Sequence, residues 1–119
     1  MRLHYFLVAA AMQPFMLSAA YAQHPHGYIT GNELMRRCAA SAPKDDQVFC
    51  VGYVAGVADY LETLRSFMGV HPCLPPTAEL GQAKDVLMAY IDKHPETRDQ
   101  SGATLAVSAF PQAWKCDKP

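Results

Sequence analysis

The fold of this chain is decided by the stretch FCVGYVAGVADY, residues 49–60, which continues in helical register to about Met68. Gly52 and Gly56 lie one turn apart beside an apolar stripe. Since glycine costs a helix roughly 1 kcal/mol relative to alanine, this pair predicts that another helix backbone packs closely there. The stretch is therefore predicted to be the central helix of a small bundle. Its apolar positions recur every three or four residues, as on a buried helix face; they are Cys50, Tyr53, Val54, Val57, Tyr60, Leu61, Leu64, Phe67 and Met68.

The N-terminal segment is predicted to be a cleaved signal peptide. It contains a short apolar run and then Ala20-Tyr21-Ala22, which has the small-x-small pattern that signal peptidase cleaves. We expect residues 1–22 to be removed, so that residues 23–119 form one modest domain in the periplasm. The alternative is a membrane anchor, which is disfavoured because Gln13-Pro14 interrupts the apolar run.

The charge pattern disfavours nucleic acids and anionic membranes as partners. Ten basic residues stand against 11 acidic ones, which gives a formal net charge of −1. Neither sign is gathered into a block, and no basic patch of the kind that nucleic acid requires is present in the sequence.

Four cysteines follow the predicted cleavage site: Cys38, Cys50, Cys73 and Cys116. An even number in a short exported chain predicts two structural disulfides. Zinc is the alternative, but the sequence has neither a Cys-x-x-Cys pair nor a His-x-x-x-His pair. We therefore expect no metal and no other cofactor.

The segment before the central helix predicts the first disulfide. Thr30 and Glu33 form a capping-box pattern, which starts a helix from about Gly31 to Ala40. A short turn follows, in which Asp45 or Asp46 is predicted to cap the central helix. The two helices would then be antiparallel, which brings Cys38 beside Cys50. Of the three possible pairings, this favours Cys38–Cys50 together with Cys73–Cys116.

Two more helices are predicted after a proline-rich connector. Thr77 is expected to cap the third helix, which runs to Lys93. The fourth is expected to start at Thr97 or Asp99 and to reach Pro111, with Trp114 covering the core. No segment alternates in the manner of a strand. The predicted fold class is all-α, a four-helix, disulfide-stapled bundle in a single domain.

The residues give no reason to expect an enzyme. Disulfide-bonded cysteines cannot act as nucleophiles, and no serine lies in a nucleophile elbow. The nearest approach to paired carboxylates is Asp59 with Glu62 and Glu79 with Asp85, at three-residue and six-residue spacings that are ordinary on a solvated helix face. Asp59 either faces solvent or is half-buried and hydrogen-bonded to another helix, and the sequence leaves both alternatives open.

Several motifs, in this order, resemble the Rap/Tai family of immunity proteins against type VI secretion amidase effectors. They are the Cys-x-Gly-Tyr-x-x-Gly signature at residues 50–56 followed by Asp59, the Cys-x-Pro at residues 73–75, and the His-Pro-Glu at residues 94–96. The resemblance covers about Gly31 to Cys116 and assigns Gly52, Tyr53, Gly56 and Asp59 to the structural motif. One departure is visible, since four residues, 112–115, separate Phe110-Pro111 from Cys116, whereas the family pattern ends in Phe-Pro-Cys.

The resemblance implies a periplasmic, disulfide-bonded helical protein that binds a peptidoglycan amidase and blocks its cysteine-protease-like active site. It also implies that a homodimer can form. As a hypothesis, inhibition is steric, and the contact surfaces are the polar connectors at residues 41–47 and 93–100. The candidate contact residues are Asp45, Asp46, Arg98 and Asp99.

A second hypothesis belongs to a different class of function. The chain would be a periplasmic helical binding module, or a chaperone-like module of the acid-stress kind, with no toxin partner. Exposure of apolar surface in acid would favour this alternative.

Overall fold

Four α-helices account for most of the structure, a computed structural model that describes residues 27–68 and 74–115. They are α1 (Gly31–Arg37), α2 (Lys44–Met68), α3 (Leu80–Lys93) and α4 (Gly102–Ala113), with a short 3-10 helix at Pro95–Thr97. The predicted all-α, four-helix class is confirmed. The predicted signal peptide, residues 1–22, and both Cys73 and Cys116 lie outside the described residues.

The core is built against one face of α2, as its apolar stripe predicted. Cys50, Val54, Val57 and Leu61 are buried on this face. The other helices contribute Leu34, Ala83, Leu87, Ile91, Leu105, Ala106, Ala109 and Phe110. Trp114 is partly buried against this core and contacts the Phe110 ring, with centroids 5.6 Å apart.

The predicted stripe is wrong at two positions, because Tyr60 and Phe67 are 56% and 85% exposed. The buried residues of α2 recur every three or four positions. Tyr60, the neighbour of Leu61, is turned about 100° around the helix from this row and faces away from the core. Phe67 lies near the end of α2, whose 25 residues exceed the 14 of α3 and the 12 of α4.

α1 and α4 begin side by side, each with a hydroxyl cap. Thr30 Oγ1 accepts a hydrogen bond from Glu33 N at 3.3 Å, so the Thr30 half of the predicted capping box is confirmed. The Glu33 side chain accepts from Arg36 and Arg37 instead of completing the box. Ser101 Oγ accepts one from Thr104 N at 3.1 Å. The predicted start of the fourth helix at Thr97 or Asp99 is therefore wrong, and α4 starts at Gly102.

The two helix starts are joined by backbone pairing, and we call residues 29–31 with 100–102 the helix-start junction. Thr30 and Ser101 form an isolated antiparallel bridge. Two hydrogen bonds flank it, from Gly31 N to Gln100 O at 3.0 Å and from Gly102 N to Ile29 O at 2.8 Å. The first N–H groups of a helix lack partners inside the helix, and here each glycine N–H finds one in the other segment.

The start of α2 differs from its prediction. The helix begins at Lys44, so Asp45 and Asp46 lie inside its first turn and do not cap it. Pro43 O already accepts from Gln47 N at 3.0 Å, so the helix starts two or three residues earlier than a cap at either aspartate would place it. Acidic side chains in a first turn still interact favourably with the helix dipole.

The bounds of α1 and α3 differ as well. α1 ends at Arg37 instead of near Ala40. α3 begins at Leu80, because a turn closed by the Ala78 N to Pro75 O hydrogen bond at 2.8 Å takes up the residues around Thr77. Glu79 is the capping residue, and its backbone N–H donates to Gln82 Oε1 at 2.9 Å. The predicted cap at Thr77 is therefore wrong.

Candidate partner-binding surface

The corner between α1 and α2 is closed by a disulfide. Cys38 and Cys50 are bonded, with their Cα atoms 5.2 Å apart, so the first predicted pair is confirmed. Cys38 lies at the end of α1 and Cys50 in the second turn of α2. The bond therefore fixes the connector at residues 41–47. The predicted pairing of Cys73 with Cys116 concerns residues that the structure does not describe and stays a prediction.

Asp46 helps to hold the same corner. Its carboxylate forms ion pairs with both arginines of α1, with Oδ1 3.1 Å from Arg37 Nη1 and Oδ2 3.5 Å from Arg36 Nη1. The Arg37 guanidinium also lies over the Phe49 ring, 4.3 Å from its centroid. One of the predicted contact residues is thus engaged within the chain, and its side chain is only 19% exposed.

Glu33 completes this charged group from α1. Its Oε1 accepts from Arg36 Nη2 at 2.8 Å and from Arg37 Nε at 2.6 Å. The hydrogen bond from Arg36, and then that from Arg37, holds the pKa of the Glu33 carboxyl below its usual value. Because the same two arginines also pair with Asp46, the group joins the surface of α1 to the first turn of α2.

The connector at residues 93–100 is also anchored. Arg98 Nε donates to Ile91 O at 2.9 Å and Arg98 Nη2 to Asp92 O at 2.8 Å, so its guanidinium covers the last carbonyl groups of α3. Glu96 accepts from the His94 ring at 3.2 Å. A hydrogen bond with its own backbone, and then the one with His94, lowers the pKa of the Glu96 carboxyl.

Asp45 and Asp99 differ from the other two predicted contact residues. Both are exposed, and neither forms an ion pair within the part of the chain that the structure describes. The connectors that carry them lie at opposite ends of α1, since Asn32 N donates to Arg98 O and Cys38 is bonded to Cys50. A helix of seven residues rises only about 10 Å, so one partner can reach both connectors.

The glycines of the α2 motif face open space. No atom of another element lies within 4 Å of a Cβ placed at Gly52 or Gly56. The predicted helix packing on these glycines is therefore wrong within residues 27–68 and 74–115. With the exposed Val48, Val51 and Tyr60, they form what we call the α2 outer face.

The other two motif residues have different surroundings. Tyr53 is half-buried, and its ring lies against the start of α4, where burial raises the pKa of its hydroxyl and a hydrogen bond with the Ala103 backbone opposes the rise. Asp59 is exposed. Of the two alternatives that the sequence left open for Asp59, the structure therefore has the exposed one.

Two glycines that sequence reasoning passed over make the close contacts. A Cβ at Gly102 would lie 2.5 Å from Leu34 Cδ1 and 2.7 Å from Tyr53 Cε1. A Cβ at Gly31 would lie 2.7 Å from Leu105 Cδ1 and 3.1 Å from the Arg98 carbonyl oxygen. The signal for both was available, because each glycine directly follows a hydroxyl residue that caps a helix.

Neither a metal-binding cluster nor a membrane-spanning helix is found among the described residues. They contain no group of three or more His, Cys, Asp or Glu residues placed to hold a metal ion. Among the same residues, no helix is both long enough and apolar enough to span a membrane.

Comparison with known proteins places the chain in one family. A family model described as Rap1a immunity proteins matches residues 30–116. The match extends from the Thr30 cap of α1 to beyond the end of α4, so it includes all four helices. Searches of curated proteins and of solved structures found no similar protein.

Proposed function

The chain belongs to the family of Rap1a immunity proteins, and we propose that the toxin it neutralises is a peptidoglycan amidase delivered by type VI secretion. The family match over residues 30–116 carries this proposal, together with the family motifs in the sequence. The chain would act in the periplasm, after export by the signal peptide, and as a binding protein without catalytic activity of its own.

Rigidity of the bundle supports inhibition by steric blocking. Binding costs less free energy when little of the binding surface has to be ordered. Both connectors are held in place before any partner arrives, one by the Cys38–Cys50 disulfide and Asp46, the other by Arg98. The inhibitor would enter the cleft of the enzyme as a preformed edge.

Asp45 and Asp99 are the proposed contact residues on this edge. Both are exposed, and both lie close to an end of α1. Asp46 and Arg98, the other two candidates, would act by holding the connectors in shape, since their side chains bond within the chain.

The first experiment is a pull-down with the oxidised chain, from residue 23 onward, on periplasmic and secreted fractions. We expect mass spectrometry to identify a peptidoglycan amidase whose lytic activity falls on addition of the chain. Inhibition by the chain carrying a pair of charge reversals, Asp45→Lys with Asp99→Lys, should be at least tenfold weaker. Asp85→Lys is the matched control, because Asp85 is an exposed carboxylate on α3 that belongs to neither connector. Recovery of no amidase would contradict the proposal.

A homodimer is part of the proposal, with the α2 outer face as its interface. A two-fold axis pairs a surface with itself, and Gly52 and Gly56 would let the two α2 backbones approach closely. Val48, Val51 and Tyr60 are exposed around these glycines and would supply the apolar contact. Sedimentation equilibrium at about 100 µM should show a dimer, and the Gly56→Trp variant should be a monomer. If the unchanged chain is a monomer at that concentration, the homodimer proposal is wrong.

The exposed apolar residues of α2 also favour a second candidate, a chaperone-like binding module without a toxin. Val48, Tyr60 and Phe67 are more than half exposed, and exposed apolar patches mark interaction sites. This function predicts that the chain suppresses aggregation of unrelated unfolded proteins, more strongly at pH 3 than at pH 7. Light scattering of a denatured client protein distinguishes it from the immunity function, which predicts no such activity.

A further inference from the structure

A cavity of about 410 Å³ lies between α2 and the start of α3. One wall is the segment of α2 from Ala55 to Arg65, and the opposite wall is the turn from Leu74 to Glu79. Its volume is within the range of about 300–1,000 Å³ that is usual for ligand sites in proteins.

Small apolar side chains form the interior of this cavity. Ala55 and Ala58 line it from α2, and Ala83, which is 1% exposed, lines it from α3. Leu74 and Pro75 close it from the turn. Because three alanines stand where larger residues would fill the space, an extended hydrocarbon chain fits there without displacing the core.

The charged residues of the cavity carry an excess of negative charge. Among the described residues that line it, Asp59, Glu62 and Glu79 supply three carboxylates, whereas Arg65 is the one cation. Arg65 Nη1 is paired with Glu62 Oε1 at 3.0 Å. Asp59 and Glu79 form no ion pair within the described residues, which leaves two carboxylates without a cation.

We propose that this cavity takes a lysine or arginine side chain of the toxin. Such side chains bury an aliphatic stem along apolar surface and keep a cationic head in a polar environment. The alanines would contact the stem, and the head would lie near Asp59 and Glu79. Complementary charge of this kind favours a basic partner and excludes an acidic one. The identity of the partner rests on the proposed function. The chemistry of the site rests on the residues that line the cavity.

The first test needs no toxin. The ¹⁵N-labelled chain is titrated with acetyl-Ala-Lys-Ala-amide and followed by NMR. We expect saturable shifts in the millimolar range at the amides of residues 55–65 and 74–83. The same peptide with neutral norleucine in place of lysine should bind at least fivefold more weakly.

Asp59→Asn should weaken binding of the lysine peptide about fivefold. Asp85→Asn removes the same charge from an exposed position on α3 outside the cavity and should leave binding unchanged. Shifts scattered over the surface, equal binding of both peptides, or no binding up to about 20 mM would overturn the proposal.

The second test separates this inference from the proposed function. With the amidase recovered in the pull-down, Asp59→Asn should raise the Kd about tenfold, whereas Asp85→Asn should not. If the amidase is inhibited equally by Asp59→Asn and by the unchanged chain, the cavity does not take a toxin side chain, although the immunity function stands. If the lysine peptide binds but no amidase is inhibited, the site stands and the proposed function fails.

Discussion

Two pairs of glycines in this protein have opposite surroundings. Gly31 and Gly102, at the helix-start junction, are buried against the side chains of other elements, whereas Gly52 and Gly56, on the α2 outer face, have no neighbour from another element within 4 Å of a Cβ position. The junction needs glycine in order to fold. Within the described residues no neighbouring atom requires glycine at positions 52 and 56 of α2, so this pair can contact another molecule.

The difference shows that spacing alone does not identify a site of close packing. Two small residues one turn apart are compatible with a neighbouring helix, but they equally mark a face that a partner covers. At the junction, two chain segments are brought together by paired backbone groups, and the lack of a Cβ is what lets them meet. Substitutions at the two pairs of glycines should therefore have opposite effects on stability.

The substitution Gly102→Ala should cause the largest loss of stability, about 2 kcal/mol, as expected for adding a methyl group to a well-packed core. The new Cβ would lie 2.5 Å from Leu34 Cδ1 and 2.7 Å from Tyr53 Cε1, so two side chains would have to shift, and Leu34 is fully buried. Urea denaturation measures the free energy of unfolding. Gly81→Ala is the matched control, because Gly81 is helical and has no neighbour from another element within 4 Å. Equal stability of the two variants would show that the junction is looser than described.

Gly31→Ala should lower stability by about 1 kcal/mol. The nearest contact, 2.7 Å, is with the end of the Leu105 side chain, but the Arg98 backbone lies 3.1 Å away and is held by its hydrogen bond with Asn32 N. The intrinsic preference of a helix for alanine offsets part of this cost. A Gly31→Ala variant as stable as the unchanged chain would mean that the Arg98 segment can shift without penalty.

The same substitution on the α2 outer face should have the opposite sign. Gly56→Ala should stabilise the monomer by roughly 0.5–1 kcal/mol, since alanine favours a helix and restricts the unfolded chain. The measurement is made below about 1 µM, where a homodimer would dissociate. At 100 µM the gain should shrink if a second copy packs on this face. Destabilisation at the low concentration would mean that Gly56 is covered within the monomer.

The contrast also explains which features the sequence could predict. Periodicity along α2 identified its buried row, and a short turn brought Cys38 beside Cys50, because both depend on local geometry. Tyr60 was assigned wrongly because burial depends on which neighbours exist, and these are remote in sequence. The roles of Asp46 and Arg98 were missed for a different reason. Their partners are only six to ten residues away, but each lies across a turn, and periodicity within one helix does not indicate which side chain reaches across it. Whether Asp45 and Asp99 contact a toxin depends on the partner.

Acid should affect the α1 side of the molecule and leave the α2 outer face unchanged. The pKa of Glu33 is lowered in the folded chain by Arg36 and Arg37. The stability that Glu33 contributes is therefore fully present above the unfolded-state pKa, near 4.5, and is lost as the pH falls through the lower folded-state pKa. Because the pairs are solvent-exposed, this effect should be the smallest of the four.

Thermal unfolding of the Glu33→Gln variant measures the stability that the Glu33 charge contributes. At pH 7 and low salt this variant should have a slightly lower Tm than the unchanged chain. At an acidic pH below the folded-state pKa of Glu33 the difference should vanish, because the native carboxyl is then protonated as well. The gain from Gly56→Ala should be equal at both pH values, because no ion pair is involved on that face. A Glu33→Gln difference that persisted in acid would mean that Glu33 stabilises α1 through packing or capping and that its charge contributes nothing.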